Sequence, residues 1–257
     1  MSEYRTNILI GSAVVLMSKT IAVWGSPRSG KTTFSVKLAN AIYNRYKTNV
    51  VVLFTDITTP TMPVLFPSAK RDTLFSVGKV LTKTDITVDE TIKNLVLIKK
   101  KANFGVLGYL CGENKFTYPR FDDVKARELF DVLKTLANFV IIDCMSNLDD
   151  SVLSTVAVGE ADEVIRLASP DLSCLSWYLS QLPLVAGAER HIQGINVPDA
   201  DICAPVSDVR SHLGEVSFTL PFSREVKQQF YEGKLFDVVS DKKYNTVIGA
   251  IADKVVV

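Results

Sequence analysis

The chain of 257 residues is poor in the residue types that build metal and disulfide sites. It has two histidines and four cysteines, and no pair of cysteines forms a C-x-x-C motif. Histidines and cysteines this far apart in the sequence do not indicate a zinc site. Scattered free cysteines are typical of a protein in a reducing compartment. We therefore expect a cytoplasmic protein without a zinc cluster. Its cysteines are Cys111, Cys144, Cys174 and Cys203.

The sequence also lacks excess charge and long apolar runs. The formal net charge is +1, which gives no field over the whole protein to hold it on DNA or on an anionic membrane. The apolar stretch at residues 8–17 is well short of the roughly 20 residues that a membrane-spanning helix needs. We predict no integral membrane segment, and we interpret residues 1–18 as an N-terminal extension packed on the domain that follows.

Apolar runs alternate with segments of helical periodicity along the rest of the chain. Strands are predicted at 20–24, 49–54, 104–109, 139–142, 163–167 and 216–220. Helices are predicted at 32–46, 89–101, 121–136 and 244–257, and a loop at 55–68, which holds three prolines. This alternation is typical of right-handed crossovers. We predict an α/β domain over 19–257, with a single doubly wound, mainly parallel sheet flanked by helices.

The segment between the first strand and the first helix matches the phosphate-binding pattern G-x-x-x-x-G-K-[ST] at every required position. Glycines let successive N–H groups point at phosphate oxygens, and the helix adds the positive end of its dipole. The lysine would reach the β- and γ-phosphates, and the threonine hydroxyl would bind Mg²⁺. We predict that ATP with Mg²⁺ binds here. The binding residues are Gly25, Ser26, Pro27, Arg28, Ser29, Gly30, Lys31, Thr32 and Thr33.

A site of this kind also needs carboxylates. Asp143 follows four apolar residues at the end of a predicted strand, where it would hold Mg²⁺ through water; the alternative is a helix cap or turn residue. Asp56 lies just past another strand and would orient the attacking water or join the metal shell, unless it is an ordinary turn residue. Asn196, near the end of a possible strand, is a candidate for adenine contact or a plain loop residue.

The order of these motifs resembles the ParA/MinD branch of P-loop ATPases, and within it the CpaE/TadZ-type proteins of pilus assembly. Asp56 in VVVLFTDIT corresponds to the switch I aspartate, and Asp143 in FVIIDCMS to the switch II position, although the usual proline after it is absent. The segment from Ala161 (ADEVIRLASPD) is similar to a family strand, and FTLPFSREVKQQFYEGKLF to the segment that lines adenine, with Pro221 in its turn.

One position departs from this family. The resemblance implies a lysine directly after the first glycine, which reaches the partner's phosphates in a nucleotide-sandwich homodimer. Ser26 stands there instead, and Arg28 is not equivalent because a guanidinium differs from a lysine point charge. We therefore expect slow ATP hydrolysis, with Lys31 and Asp56 as the catalytic residues, or binding that acts as a switch without turnover.

The resemblance implies a nucleotide-dependent positioning or assembly ATPase with a protein partner in pilus or secretion machinery. Such a protein would reach the membrane peripherally, through its partner. One alternative is a partition ATPase that binds DNA non-specifically through a small basic patch formed by Lys99, Lys100 and Lys101. A run of three lysines is more often simply the solvated end of a helix. Another alternative is a metabolic kinase or ligase that uses the same loop.

Overall fold

A computed structural model describes residues 18–69, 74–99, 101–200 and 206–256. In this part of the chain, eight strands form one sheet in the order β3-β4-β2-β5-β1-β6-β7-β8. All neighbours are parallel except β3 and β4. The strands are β1 (Lys19–Gly25), β2 (Val50–Phe54), β3 (Val96–Leu97), β4 (Phe104–Gly108), β5 (Phe139–Asp143), β6 (Glu163–Ala168), β7 (Ile192–Asn196) and β8 (Phe218–Leu220).

Ten α-helices lie in the described residues, together with three short 3₁₀ turns. The helices are α1 (Lys31–Tyr46), α2 (Met62–Leu65), α3 (Val77–Leu81), α4 (Val88–Asn94), α5 (Asp123–Leu136), α6 (Val152–Glu160), α7 (Leu172–Gln181), α8 (Val206–Leu213), α9 (Arg224–Tyr231) and α10 (Lys242–Val256). The 3₁₀ turns are Leu148–Asp150, Leu182–Leu184 and Ala188–Arg190.

The central strands are apolar because both of their faces are covered. In β1, Ile21 and Val23 pack in one apolar cluster, and Ala22 and Trp24 pack in the other. The first cluster includes side chains of α1 and α10, and the second includes side chains of α5 and α6. Strands buried on both faces are a property of parallel sheets with helices on each side. The predicted doubly wound, mainly parallel fold is confirmed, and 55–68 is mostly loop as predicted.

The C-terminal segment packs on the body of the domain. Ile248, Ile251 and Val255 of α10 are buried in the same cluster as Phe34 and Ile42 of α1. The helix predicted over 244–257 is therefore present as α10, and its apolar side chains are part of the core. No helix in the described ranges combines the length and the apolar character needed to cross a membrane. The predicted N-terminal extension lies outside the described residues except for Ser18, whose hydroxyl donates to the carbonyl of Ala137 at 2.7 Å.

Two expectations near residue 95 are wrong. The helix predicted over 89–101 ends at Asn94, and Val96 then pairs antiparallel with Val106. Leu95 and Ile98 are buried in different clusters, on opposite faces of the sheet, so this apolar run is extended. A short apolar run fits both helix and strand periods, which explains the error.

The basic patch predicted at 99–101 is likewise not a solvated helix end. Lys99 is exposed and Lys100 lies outside the described residues, but Lys101 turns inward. Its ammonium donates to Asn40 Oδ1 and, at 3.1 Å, to the carbonyl of Phe236. It also lies 5.2 Å from the ring centroid of Phe104.

Lys101 is one of two lysines that hold the segment before α10. Lys37, on α1 and 3% exposed, donates to Gln229 Oε1 and to the carbonyls of Leu235 (2.6 Å) and Asp237 (3.1 Å). Burial, together with the charge of Lys101, lowers the pKa of Lys37 to about 7. Neutral oxygens, one from the Gln229 amide and two from backbone carbonyls, satisfy the ammonium donors, but they do not supply the negative charge that would offset desolvation.

We expect the free energy of unfolding of the protein to depend on pH because the pKa of Lys37 is lowered in the folded state. Between pH 7 and pH 10 the unfolded chain binds more protons at this residue than the folded chain, so raising the pH stabilises the fold. A Lys37→Met variant lacks this contribution. The free energy of unfolding of the parent, relative to the variant, should therefore rise by up to about 1.4 kcal/mol per pH unit in urea titrations at pH 7, 8 and 9.

The matched control is Lys99→Met, which removes an exposed lysine and should follow the parent's profile. Parallel profiles for the parent and Lys37→Met would show that Lys37 stays charged in the folded protein throughout this range.

Candidate functional site

The phosphate-binding loop leaves β1 at Gly25 and enters α1 after Gly30. A Cβ on Gly25 would lie 2.1 Å from the carbonyl oxygen of Leu167 on β6, so the backbones pass too closely for a side chain. Gly30 has a φ of 80°, in the left-handed region, and a Cβ there would lie 2.3 Å from Asn196 Nδ2. Both glycines are thus required by the turn itself. Arg28 also has a positive φ, of 62°.

The N-terminus of α1 has no side-chain cap. Gly30 occupies the N-cap position without a capping hydrogen bond, and the first turn of this 16-residue helix contains no acid. Six other helices are capped by a side-chain oxygen, from Ser76, Thr87, Asp122, Ser151, Asp171 and Ser223. The free N–H groups and positive dipole end of α1 therefore face the loop, an arrangement that suits a phosphate.

Lys31 lies at the start of α1 and points back across the loop. Its ammonium donates to the carbonyl of Ser26 at 3.0 Å and to the hydroxyl of Ser146 at 2.6 Å. Burial lowers the pKa of Lys31, while the charge of Asp143 opposes this shift. A half-buried lysine held by neutral oxygens at the edge of a cleft is well placed to exchange them for phosphate oxygens.

Thr32 and Asp143 join the loop to the middle of the sheet. The Thr32 hydroxyl donates to Asp143 Oδ2 at 2.6 Å, and Ser35 Oγ donates to Oδ1 at 3.2 Å. Burial raises the pKa of Asp143 to about 6, although the bonds from Thr32 and Ser35 and the charge of Lys31 favour its ionised form. A hydroxyl beside a carboxylate is a pair of hard oxygen ligands, so these residues fit Mg²⁺.

Asp56 lies beside this pair, just past β2. Its Oδ1 accepts from the backbone N–H groups of Thr58 and Thr59, each at 2.8 Å, which fixes the turn after the strand. The strand ends are themselves joined, because Thr55 Oγ1 donates to the carbonyl of Asp143 at 2.9 Å. Asp56 is therefore both a turn residue and a carboxylate facing the loop.

These residues open onto a cleft of about 820 Å³ at the carboxyl edge of the sheet. Most of the predicted site residues line it: Pro27, Arg28, Gly30, Lys31, Thr32, Thr33, Asp56, Asp143, Asn196 and Pro221. Gly25, Ser26 and Ser29 do not, since they form the buried back of the loop. The amide of Asn196 donates to the carbonyl of Ser29 at 2.8 Å, so in this structure it braces the loop.

Ser26 points away from the cleft. Its side chain is fully buried, and its hydroxyl donates to Cys174 Sγ on α7 at 3.1 Å. The hydroxyl of Ser29, also fully buried, donates to the carbonyl of Ser26 at 2.8 Å. In this conformation of the loop, a side chain at position 26 is directed into the protein. Arg28, two residues on, is exposed and lines the cleft.

Sequence reasoning missed two parts of the site. The first part is Ser146, whose hydroxyl accepts from Lys31. It lies three residues after Asp143 in the segment FVIIDCMS, and this position in the resembled motif could have pointed to it. The far wall of the cleft is the second part, for which only Pro221 was predicted. That wall includes Val197, Pro198, Phe222, Lys227, Phe230 and Tyr231. Aromatic and apolar walls of this kind suit a planar base.

Comparison with known proteins gave matches among solved structures. No protein-family model and no curated protein matches the chain. A ParA family ATPase from Chlorobium tepidum superposes with a TM-score of 0.73 at 12% identity, covering 91% of this chain and 98% of that one. The septum site-determining protein MinD of Pyrococcus horikoshii, complexed with Mg-ADP, gives 0.67 at 18% identity, covering 93% and 96%.

A third match is a chain of the MinC:MinD cell division protein complex of Aquifex aeolicus, with a TM-score of 0.70 at 15% identity, covering 92% of this chain and 95% of that one. The chain has the fold of the ParA and MinD ATPases. At these identities the likeness establishes the ParA/MinD fold, and the chemistry must be argued from the site itself.

The close approach of Gly30 to Asn196 gives a stability test of the loop. A Gly30→Ala variant would be strained at a φ of 80° and would push the Asn196 amide off the Ser29 carbonyl. We expect it to lose about 1–3 kcal/mol of unfolding free energy in urea titrations without nucleotide.

The matched control is Gly159→Ala in α6, where an added Cβ meets nothing within 4 Å and should gain up to about 1 kcal/mol. A Gly30→Ala protein as stable as the parent would contradict this account of the turn.

Proposed function

We propose that this protein binds ATP with Mg²⁺ in the cleft and uses the bound nucleotide as a switch for positioning or assembly. One observation carries the proposal: Lys31, Thr32 and Asp143 converge beside the uncapped N-terminus of α1. A cation, a hydroxyl, a carboxylate and free N–H groups at one point are the set that a magnesium triphosphate requires.

Each side chain has a role in this proposal. Lys31 would leave Ser146 for the β- and γ-phosphates, and the N–H groups of the loop would surround them. Thr32 would turn its hydroxyl oxygen to Mg²⁺, with Asp143 holding the metal through water and Asp56 orienting the attacking water or the metal shell. Mg-ADP in the Pyrococcus horikoshii MinD structure, which has the same fold, supports this choice of ligand.

The contacts of Ser146 suggest how the nucleotide would be sensed. Its hydroxyl accepts from Lys31, and its carbonyl accepts from the indole N–H of Trp24 at 3.1 Å. A phosphate that takes Lys31 frees the Ser146 hydroxyl, and the segment after Asp143 can then rearrange. Loops that contact the γ-phosphate and rearrange on hydrolysis are a common form of nucleotide switch.

We expect hydrolysis to be slow. Ser26 supplies no positive charge to the cleft, and Arg28 is the exposed cation on the loop.

The resemblance of the sequence to CpaE/TadZ-type proteins supports a cytoplasmic protein that serves pilus or secretion machinery through a protein partner. The MinC:MinD complex is an example of this fold bound to another protein.

The alternatives have less support. DNA binding would use the basic patch at 99–101, but Lys101 points into the protein and donates to the carbonyl of Phe236, so this patch has one charge fewer on the surface. A kinase or ligase would need a pocket for a second substrate beside the γ-phosphate. Neither alternative is favoured by a specific contact in the described residues.

Nucleotide binding is tested most directly at Lys31. We expect the parent to bind Mg-ATP in isothermal titration calorimetry and Lys31→Ala to lose at least about tenfold in affinity, because a charge-assisted bond to phosphate is worth roughly 1.5–3 kcal/mol. Lys79→Ala, which changes an exposed lysine outside the cleft, is the control and should bind as the parent does. Equal affinity in Lys31→Ala would contradict the proposal.

The oligomeric state tests the mode of switching. If the protein forms a nucleotide-dependent homodimer, its mass by light scattering should double from the apo state to the Mg-ATP state, and Lys31→Ala should not respond. An identical mass in both states would exclude such a dimer. The switch would then have to act within a single chain.

A further inference from the structure

Arg166 is a charged residue in the middle of a buried strand. It lies on β6, next to Gln193 of β7 in the register, and is only 7% exposed. Its neighbours Ile165 and Leu167 are fully buried apolar residues. An arginine at such a position needs a physical reason, because burying a charge is costly unless it is paired.

No partner for this charge is present in the described residues. Arg166 Nε is buried without a hydrogen bond, and no carboxylate forms an ion pair with the guanidinium. The guanidinium cannot escape the cost by losing its proton, since arginine remains charged in proteins. The strand therefore holds a permanent positive charge that the described part of the chain leaves uncompensated.

Arg166 lines a cleft of about 450 Å³, together with His191, whose pKa its charge lowers. The cleft opens at the amino ends of β6, β7 and β8, on the opposite edge of the sheet from the phosphate-binding loop, because Glu163, His191 and Ser217 line it. Its lining is mainly polar. The volume is in the range of small-molecule sites.

A second side chain in this cleft also lacks a partner. His191 Nδ1 is buried without a hydrogen bond. Burial, with the charge of Arg166 as the next cause, lowers the pKa of His191 to about 4. The imidazole is thus neutral at pH 7, and Nδ1 can donate or accept according to its tautomer. Both residues line the cleft, and each has a buried polar atom without a hydrogen bond, which indicates a ligand with oxygen atoms.

The charges around the cleft limit that ligand. The lining holds three cations, Arg166, Arg190 and Lys254, and three glutamates, of which Glu163 is paired with Lys19 at 3.3 Å. The other two are Glu189 and Glu215. A group with two negative charges, such as phosphate, would be repelled by these carboxylates. A single carboxylate fits both the local charge and the planar fork of an arginine.

We propose that this cleft is a binding site for a small carboxylic acid, whose carboxylate pairs with the Arg166 guanidinium. The site is separate from the nucleotide cleft and does not depend on the function proposed for it. A bidentate pair would satisfy the buried charge, and His191 would hold a further polar atom of the ligand.

The test is a nuclear magnetic resonance titration of the full chain with acetate. Acetate replaces chloride during the titration, so that the ionic strength stays constant. The side-chain Nε–H signal of Arg166, assigned by its absence in Arg166→Gln, should shift with a saturable dependence on acetate. Arg127 is the internal control, because its Nε already donates to Glu160 at 2.8 Å, and its signal should not follow the same curve.

The backbone amide of Ile192 gives a second reporter for the variants. Arg166→Lys keeps the charge without the fork and should bind acetate at least about tenfold more weakly, provided that its other amide signals show an unchanged fold. Unsaturable shifts, an unchanged curve in Arg166→Gln or Arg166→Lys, or a response to inorganic phosphate without one to acetate would each overturn the proposal.

Discussion

The hydrogen bond between the Thr32 hydroxyl and the Asp143 carboxylate joins the start of α1 to the end of β5. Because β5 pairs with both β1 and β2, Asp143 lies at the centre of the sheet, level with Val23 and Phe54. The loop is therefore anchored at its end to the most buried part of the protein. Every other group of the site is placed relative to this anchor, including Lys31 one residue before Thr32.

The anchor also shows why a nucleotide would change the loops as well as fill a cleft. The same Thr32 oxygen that now donates to Asp143 is the oxygen that a magnesium ion would take as ligand. The carboxylate, 4% exposed, would then face a cation in place of a hydroxyl proton. In the proposed function, magnesium binding would therefore require these residues to change partners within a rigid frame, which would favour discrete states over gradual ones.

Much of this arrangement could be predicted from the sequence, because its determinants are local. The loop needs glycine at positions 25 and 30, and strands buried on both faces are apolar along their length. The four apolar residues before Asp143 predict a strand that ends at this aspartate, as β5 does. These features depend on neighbours in the sequence, so a pattern can reveal them.

The errors and omissions depend on contacts between distant segments. The run of three lysines predicts a solvated Lys101, but its partner Asn40 lies 61 positions earlier in the chain. The strand Val96–Leu97 exists because β4 offers it an edge, and the brace between Asn196 and Ser29 spans 167 residues. Arg166 stood within a segment that matched a family strand, and only the packing around it shows that its charge is unpaired.

The aromatic contacts near Ser146 have an optical consequence. The chain has only two tryptophans, and their rings lie 4.9 Å apart, with Trp24 fully buried and hydrogen-bonded to the segment after Asp143. Trp177 belongs to α7, the helix that also carries Cys174 beneath the phosphate-binding loop. When the excitation wavelength selects tryptophan over the eight tyrosines, the intrinsic emission therefore comes from this one corner. A spectroscopist could follow that corner in the unlabelled chain.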